Sequence, residues 1–139
     1  MAMTITELHN STMVKGRILI VEDNDLHRLI TQDCLEAEGY TVLSLANGLN
    51  FFSALAEFHP DLLLLDLKLP CVDGFTLLEQ LKLSIWAAIP VIITSAYAFQ
   101  SEKQRAINLG ASAYLTKPIA LEALVKTVAL GLETTCSVA

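Results

Sequence analysis

Apolar residues fall along this chain in two alternating patterns. The first is a short unbroken block: Ile18-Leu19-Ile20-Val21 after Arg17, Leu62 to Leu65, and Val91-Ile92-Ile93. Blocks of this length, bounded by polar or turn residues, fit strands buried on both faces of a sheet. Leucine alone would also suit a helix, but Leu62–Leu65 is short, runs into Asp66, and is stopped early by Pro70. The second pattern has helical spacing: Leu26, Leu29, Ile30 and Leu35, then Leu49, Phe52, Leu55 and Ala56, then Phe75, Leu78 and Leu81, and last Leu121, Leu124, Val125 and Val128. A more polar helix is expected over Ser101–Leu109.

Punctuation between the blocks is consistent with this division. Asn24 or Asp25 can cap the first helix and Gly39 fits its C-terminal side. Asn47-Gly48 marks a turn, and His59-Pro60 closes the second helix. Asp73-Gly74 reads as turn chemistry. Pro90 precedes the fourth strand, Val91–Ser95, and Gly110 ends the polar helix. Strands are thus expected at Arg17–Val21, Tyr40–Leu45, Asp61–Asp66, Val91–Ser95 and Ala113–Thr116. Five strands alternating with five helices call for an α/β fold, a parallel sheet with helices on both faces and right-handed crossovers.

Composition adds limits. At 139 residues the chain is most simply one domain, and 53% hydrophobic against 17% charged residues argues against disorder. We expect a flexible leader over residues 1–15, a domain over 16–131 and a short tail over 132–139. No apolar run approaches the ~18 residues of a membrane span, and the first fifteen residues lack a secretory core, so membrane insertion is not expected and a cytoplasmic location is. The net charge of −6 argues against direct contact with nucleic acid. Cys34, Cys71 and Cys136 have no metal-type spacing and read as free thiols. His9, His27 and His59 read as surface residues, and Trp86 as packing.

The polar residues that matter fall where such sheets bind ligands, at the carboxyl ends of strands. Glu22 and Asp23 follow the first strand, Asp66 ends the third, Ser95 ends the fourth, and Lys117 follows the fifth. Three carboxylates at neighbouring strand ends repel one another, and a divalent cation relieves that repulsion. An all-oxygen site with few protein ligands suits magnesium, with bonds of about 2.0–2.1 Å. Adding an ammonium and a hydroxyl gives a site for phosphoryl transfer, in which a carboxylate can be the covalent acceptor.

The span from about Lys15 to Leu130 resembles the receiver domain of two-component response regulators. The matching motifs are Ile18-Leu19-Ile20-Val21-Glu22-Asp23-Asn24, Asp66-x-x-Leu69-Pro70-x-x-Asp73-Gly74, Ile93-Thr94-Ser95-Ala96, Gly110-Ala111 and Tyr114-Leu115-Thr116-Lys117-Pro118. Each is weak alone; all five in order are specific. The resemblance implies the flavodoxin-like receiver fold with strand order 2-1-3-4-5. It implies Asp66 as phosphoacceptor, and Mg2+ held by Asp23 directly, by Glu22 mainly through water, and by Asp66 and the Lys68 backbone carbonyl. It further implies Ser95 and Lys117 as holders of phosphoryl oxygens, a cis Lys117–Pro118 bond, Ser95 and Tyr114 as switch residues, and Lys68 and Tyr97 as residues that flank the path of attacking water.

The implied function is a phosphoacceptor response regulator, not an enzyme beyond self-phosphorylation from donors and slow self-dephosphorylation. Its implied partners are a histidine kinase or histidine phosphotransfer protein, and a downstream target or second copy bound through the fourth helix, fifth strand and fifth helix. With only nine residues after the last expected helix position, we expect a single-domain regulator or a receiver cut from a longer protein. Alternatives are a degenerate, constitutive binding module and an intermediate in a multi-step phosphorelay. A haloacid-dehalogenase type of enzyme would need an acid where Lys68 stands. A flavin binder would need a Ser/Thr/Gly-rich loop where Glu22-Asp23-Asn24 stands, and there is no Walker-type loop.

Overall fold

Five parallel strands form one sheet in the order β2-β1-β3-β4-β5, and five helices cover its two faces. The computed structural model describes residues 15–138. In chain order the elements are β1 (Arg17–Val21), α1 (Asp25–Ala37), β2 (Thr41–Leu45), α2 (Phe51–Phe58), β3 (Leu62–Asp66), α3 (Gly74–Lys82), β4 (Val91–Ser95), α4 (Gln100–Asn108), β5 (Ala113–Thr116) and α5 (Leu121–Val138).

Alternate residues of the central strands feed two separate cores, because successive side chains point to opposite faces. Leu19, Val21, Leu63, Leu65, Val91 and Ile93 pack with Phe51, Leu55, Leu77, Leu78, Leu81 and Ala106 from α2, α3 and α4. Ile18, Ile20, Leu62, Leu64 and Ile92 pack with Leu35 of α1 and Leu124 and Val128 of α5. Both faces of β3 are covered by helices and its five residues are buried, which is why it reads as an unbroken leucine run. Each such side chain contributes roughly 1.5–3 kcal/mol by leaving water.

The helices differ from expectation in which residues they bury. In α1 the apolar spacing marks the helix but not its buried face: Leu35 is buried, while Leu26, Leu29 and Ile30 are 63%, 56% and 42% exposed. In α2 the buried residues are Phe51, Ala54 and Leu55: of the expected set Leu55 is buried and Phe52 packs partly buried on the core, while Ala56 is exposed and Leu49 lies before the helix. Gly48, before this helix, lies close to Leu77: a Cβ there would be 2.7 Å from Leu77 Cδ1. The last helix continues to Val138, through the segment expected as a tail. The polar helix starts one residue early, at Gln100.

Caps account for the element ends. Asn24 rather than Asp25 caps α1, its Oδ1 accepting from the His27 N–H at 2.9 Å. Gly39 (φ 103°) follows α1 in the left-handed region that favours glycine. His59, at φ 55°, ends α2 in the same region. Asp73 is the N-cap of α3, accepting from Phe75 N–H at 2.7 Å. His27 and His59 are exposed, Trp86 packs beside Phe52, and His9 lies outside the described residues. No helix among the described residues is long and apolar enough to cross a membrane.

Candidate functional site

Strand register brings the expected polar residues to one end of the sheet. Val21 is paired with Leu65, so Glu22 and Asp66 leave the sheet side by side. Asp66 is paired with Thr94, and Ser95 with Thr116, so Ser95 and Lys117 emerge from the next two strands at the same end. The Lys117 N–H donates to the Ser95 carbonyl at 2.7 Å, tying the fifth strand's exit to the fourth.

One carboxylate oxygen from each of Glu22, Asp23 and Asp66 can lie within 4.8 Å of the others. Glu22 and Asp66 are buried, and Asp23 is exposed. Burial raises the Asp66 pKa above the ordinary carboxylate value, and the neighbouring Glu22 adds to the rise; the Lys117 hydrogen bond opposes both. Lys117 lies between the two buried acids, its Nζ 2.6 Å from Glu22 Oε1 and 3.0 Å from Asp66 Oδ2. Burial alone would lower the lysine pKa, but the hydrogen bonds to Glu22 and Asp66 outweigh it and the net direction is upward. The Lys117–Pro118 peptide bond is cis.

The remaining contacts hold these groups in place. Glu22 Oε2 accepts from the Asn24 N–H at 3.1 Å, and its backbone carbonyl accepts from Arg28 Nη1 at 2.9 Å. Asp66 Oδ1 accepts from the Lys68 N–H at 3.1 Å. Gly74 lies directly against this turn: a Cβ there would be 2.3 Å from the Asp66 carbonyl oxygen. Asp73-Gly74 is therefore more than turn chemistry, since it caps α3 and lets that helix approach the acid.

Ser95 is fully buried, and its Oγ accepts from the Tyr97 N–H at 3.0 Å. The Tyr114 hydroxyl donates to the Tyr97 carbonyl at 2.9 Å. Lys68 reaches across from the loop after β3, its Nζ 2.5 Å from the Tyr97 hydroxyl. Glu22, Asp23, Asp66 and Lys117 thus form one charged cluster. Ser95, Tyr97, Tyr114 and Lys68 form a second group, joined to the first through the backbone of Lys68. Cys71, at φ 72°, is exposed on the intervening loop, and the structure assigns it no contact with the cluster.

Two features escaped the sequence reading. Arg28 secures the Glu22 backbone, yet on an amphipathic helix it looks like any solvated arginine. A cavity of about 220 Å³ opens between α1 and the start of α5, lined by Ile20, Ile30, Leu64, Ile119, Leu121 and Leu124 and by Glu22 and Lys117. The exposed Leu26, Leu29 and Ile30 belong to the same helix.

Buried acids around one ammonium, next to a shielded hydroxyl, are suited to binding a cation and an anionic group together. Hard oxygen donors spaced this closely fit a magnesium ion. Comparison with known proteins gives the same direction. The family model described as the response regulator receiver domain matches residues 18–129. The chain is 36% identical over 112 residues to the polar-differentiation response regulator DivK of Brucella ovis, covering 80% of this chain and 91% of that protein. Among solved structures, a CheY-like response regulator receiver domain protein from Methanospirillum hungatei JF-1 superposes with a TM-score of 0.83 at 29% identity, covering 88% of this chain and 98% of that one. A response regulator from Chloroflexus aurantiacus gives a TM-score of 0.81 at 29% identity, covering 85% and 98%. The chain belongs to the response regulator receiver domain family.

Proposed function

We propose that this receiver domain takes a phosphoryl group onto Asp66 from the phosphohistidine of a histidine kinase or phosphotransfer protein, and thereby changes a protein-binding surface. The observation that carries this reading is the double engagement of Lys117 by Glu22 and Asp66 at the exit of the central strands. An ammonium held this way is already in position to meet a phosphoryl oxygen when one arrives on Asp66. In the transfer the Asp66 carboxylate forms an O–P bond as the donor's N–P bond breaks, and the electron pair of that bond stays on the imidazole nitrogen. Lys117 and the Ser95 hydroxyl bind the oxygens of the transferred group. The N–H of Tyr97 occupies a lone pair of Ser95 Oγ, which leaves the hydroxyl proton free for that purpose.

Glu22, Asp23, Asp66 and the Lys68 carbonyl would hold a magnesium ion, whose chemistry here is to neutralise charge between the acids and the incoming phosphoryl oxygens. Lys68 and Tyr97 flank the mouth, and the half-buried Tyr97 ring supports slow loss of the group to water. The apolar stripe Leu26/Leu29/Ile30 begins one turn from the acids and supports docking of the phosphodonor along α1. Output would pass from Ser95 through Tyr114 to the face formed by α4, β5 and α5, for a separate target or a second copy of the chain.

The test is incubation with magnesium and acetyl phosphate, followed by mapping of an acid-stable, base-labile phosphate. The reading requires label on Asp66, its loss in Asp66→Asn, and its loss on chelation of the metal. Full labelling of the variant would refute it.

A further inference from the structure

Tyr97 is held at three points, and one of them ends on an exposed, flexible side chain. Its N–H donates to Ser95 Oγ at 3.0 Å, its carbonyl accepts from the Tyr114 hydroxyl at 2.9 Å, and its own hydroxyl meets Lys68 Nζ. The first two contacts tie the 96–99 loop to the buried hydroxyl and to β5. The third ties that loop to the segment after Asp66, across 29 residues of sequence. Lys68 Nζ also lies 5.1 Å from the centre of the Tyr97 ring, which in turn stacks on Phe99 at 6.1 Å. Lys68 forms no salt bridge among the described residues; its exposed ammonium rests on the Tyr97 hydroxyl, with the charge of Glu102 acting on it from beyond ion-pair distance, while its backbone N–H is on Asp66 Oδ1.

That arrangement gives Lys68 a choice of partner. We infer that Lys68 is a partner-switching positioning residue: its ammonium holds Tyr97 while Asp66 is unmodified and moves to the phosphoryl group once Asp66 carries one, releasing the 96–99 loop. This rests on the reading of Asp66 as acceptor. An anionic phosphoryl oxygen offers the ammonium a charge–charge attraction that the phenol oxygen does not supply. A phosphoryl group also brings about one further negative charge and new acceptor oxygens next to the Lys68 backbone. The lysine stem is flexible enough to turn without moving the main chain. Lys117 is enclosed by two acids and has no comparable freedom. Release of the Tyr97 hydroxyl frees the residue whose backbone positions both Ser95 and Tyr114, so a local charge change reaches β5 through one side chain.

The experiment follows Tyr97 and Lys68 by NMR in the full chain, with magnesium and beryllofluoride as phosphoryl mimic, in wild type, Lys68→Met, Lys68→Arg and Tyr97→Phe. Without the mimic, Lys68→Met should shift amides at 95–99 and 114 as Tyr97→Phe does, and Lys68→Arg should restore most of the wild-type pattern. With the mimic, the wild-type Lys68 ammonium signal should change and the Tyr97 ring carbon bearing the hydroxyl should move toward its position in Lys68→Met. A bound mimic with the Lys68–Tyr97 signals unmoved would overturn the switch and leave the acceptor reading intact. Shifts in Lys68→Met confined to residues 66–70 would also overturn it. Absence of mimic binding in wild type would refute the acceptor reading and the switch together.

Discussion

Lys117 and Glu22 meet at 2.6 Å although they are 95 residues apart (117 − 22), because β1 and β5 both run out at the carboxyl end of one parallel sheet, where the lysine side chain reaches back past β4 and β3. The same ammonium reaches Asp66 at 3.0 Å. Removing it leaves two buried carboxylates facing each other. Replacing Lys117 with Met should therefore destabilise the metal-free protein by about 2 kcal/mol, a discounted value because the lysine keeps some contact with solvent. Magnesium should recover part of that loss, while labelling from acetyl phosphate stays at least tenfold below wild type. Urea unfolding with and without magnesium measures the first effect, and phosphate incorporation the second.

The Asp66 carboxyl pKa is raised, chiefly by burial, so its ionised form opposes folding. The folded state holds its proton to higher pH than the unfolded chain does. Stability contributed by the protonated form is complete below the unfolded value, near 3.9, and is lost as pH rises through the folded value. Asp66→Asn, which cannot ionise, should make the magnesium-free protein more stable at neutral pH, by on the order of 1 kcal/mol. The gap should close as the pH falls into the carboxylate range. Thermal unfolding of both proteins across pH 3–8 in chelator tests this, and a gap that widens on acidification would contradict it.

Gly74 has no room for a side chain, since a Cβ would sit 2.3 Å from the Asp66 carbonyl oxygen and 2.7 Å from Leu67 Cα. Both obstacles are backbone and cannot turn aside. Gly74→Ala should cost about 1–3 kcal/mol and displace the acid it presses on. Chemical denaturation should show the loss, and labelling at Asp66 should slow even at temperatures where the variant remains folded.

The α1 stripe predicts the opposite separation. Leu29 is 56% exposed, so Leu29→Ser should change stability by less than about 0.5 kcal/mol. Transfer from a protein phosphodonor should fall at least fivefold, while labelling by acetyl phosphate is unchanged. Equal effects on the two donors would remove α1 from the docking surface.

Tyr97 shields the site in this reading, and Tyr97→Ala should shorten the lifetime of the phosphoryl group severalfold. Following loss of label after rapid removal of donor decides it; an unchanged rate would mean that the ring does not obstruct water.

The strand blocks were legible because a strand buried on both faces must be apolar at every position. Nothing local competes with that requirement in Leu62–Leu65 or Val91–Ile93. The position of each polar residue at a strand end was equally legible, and parallel pairing then placed Glu22, Asp66, Ser95 and Lys117 at one edge. Helical faces were less so. Leu26, Leu29 and Ile30 have the spacing of a buried stripe, yet α1 turns Leu35 inward and leaves them in solvent, since what a helix buries depends on the neighbours it meets. In α2, likewise, Phe51 and Ala54 are buried and Ala56 is exposed, a division set by the sheet the helix packs on and not by local spacing.

Sequence alone determined the alternation of elements and the chemical types of the groups at the strand ends, because burial and charge repulsion act on residue type. Tertiary structure decided who pairs with whom. It placed Lys117 between two acids, Gly74 against the Asp66 backbone, and Lys68 on the Tyr97 hydroxyl. Each of these depends on distances between loops from different strands, and no local pattern in the chain encodes them.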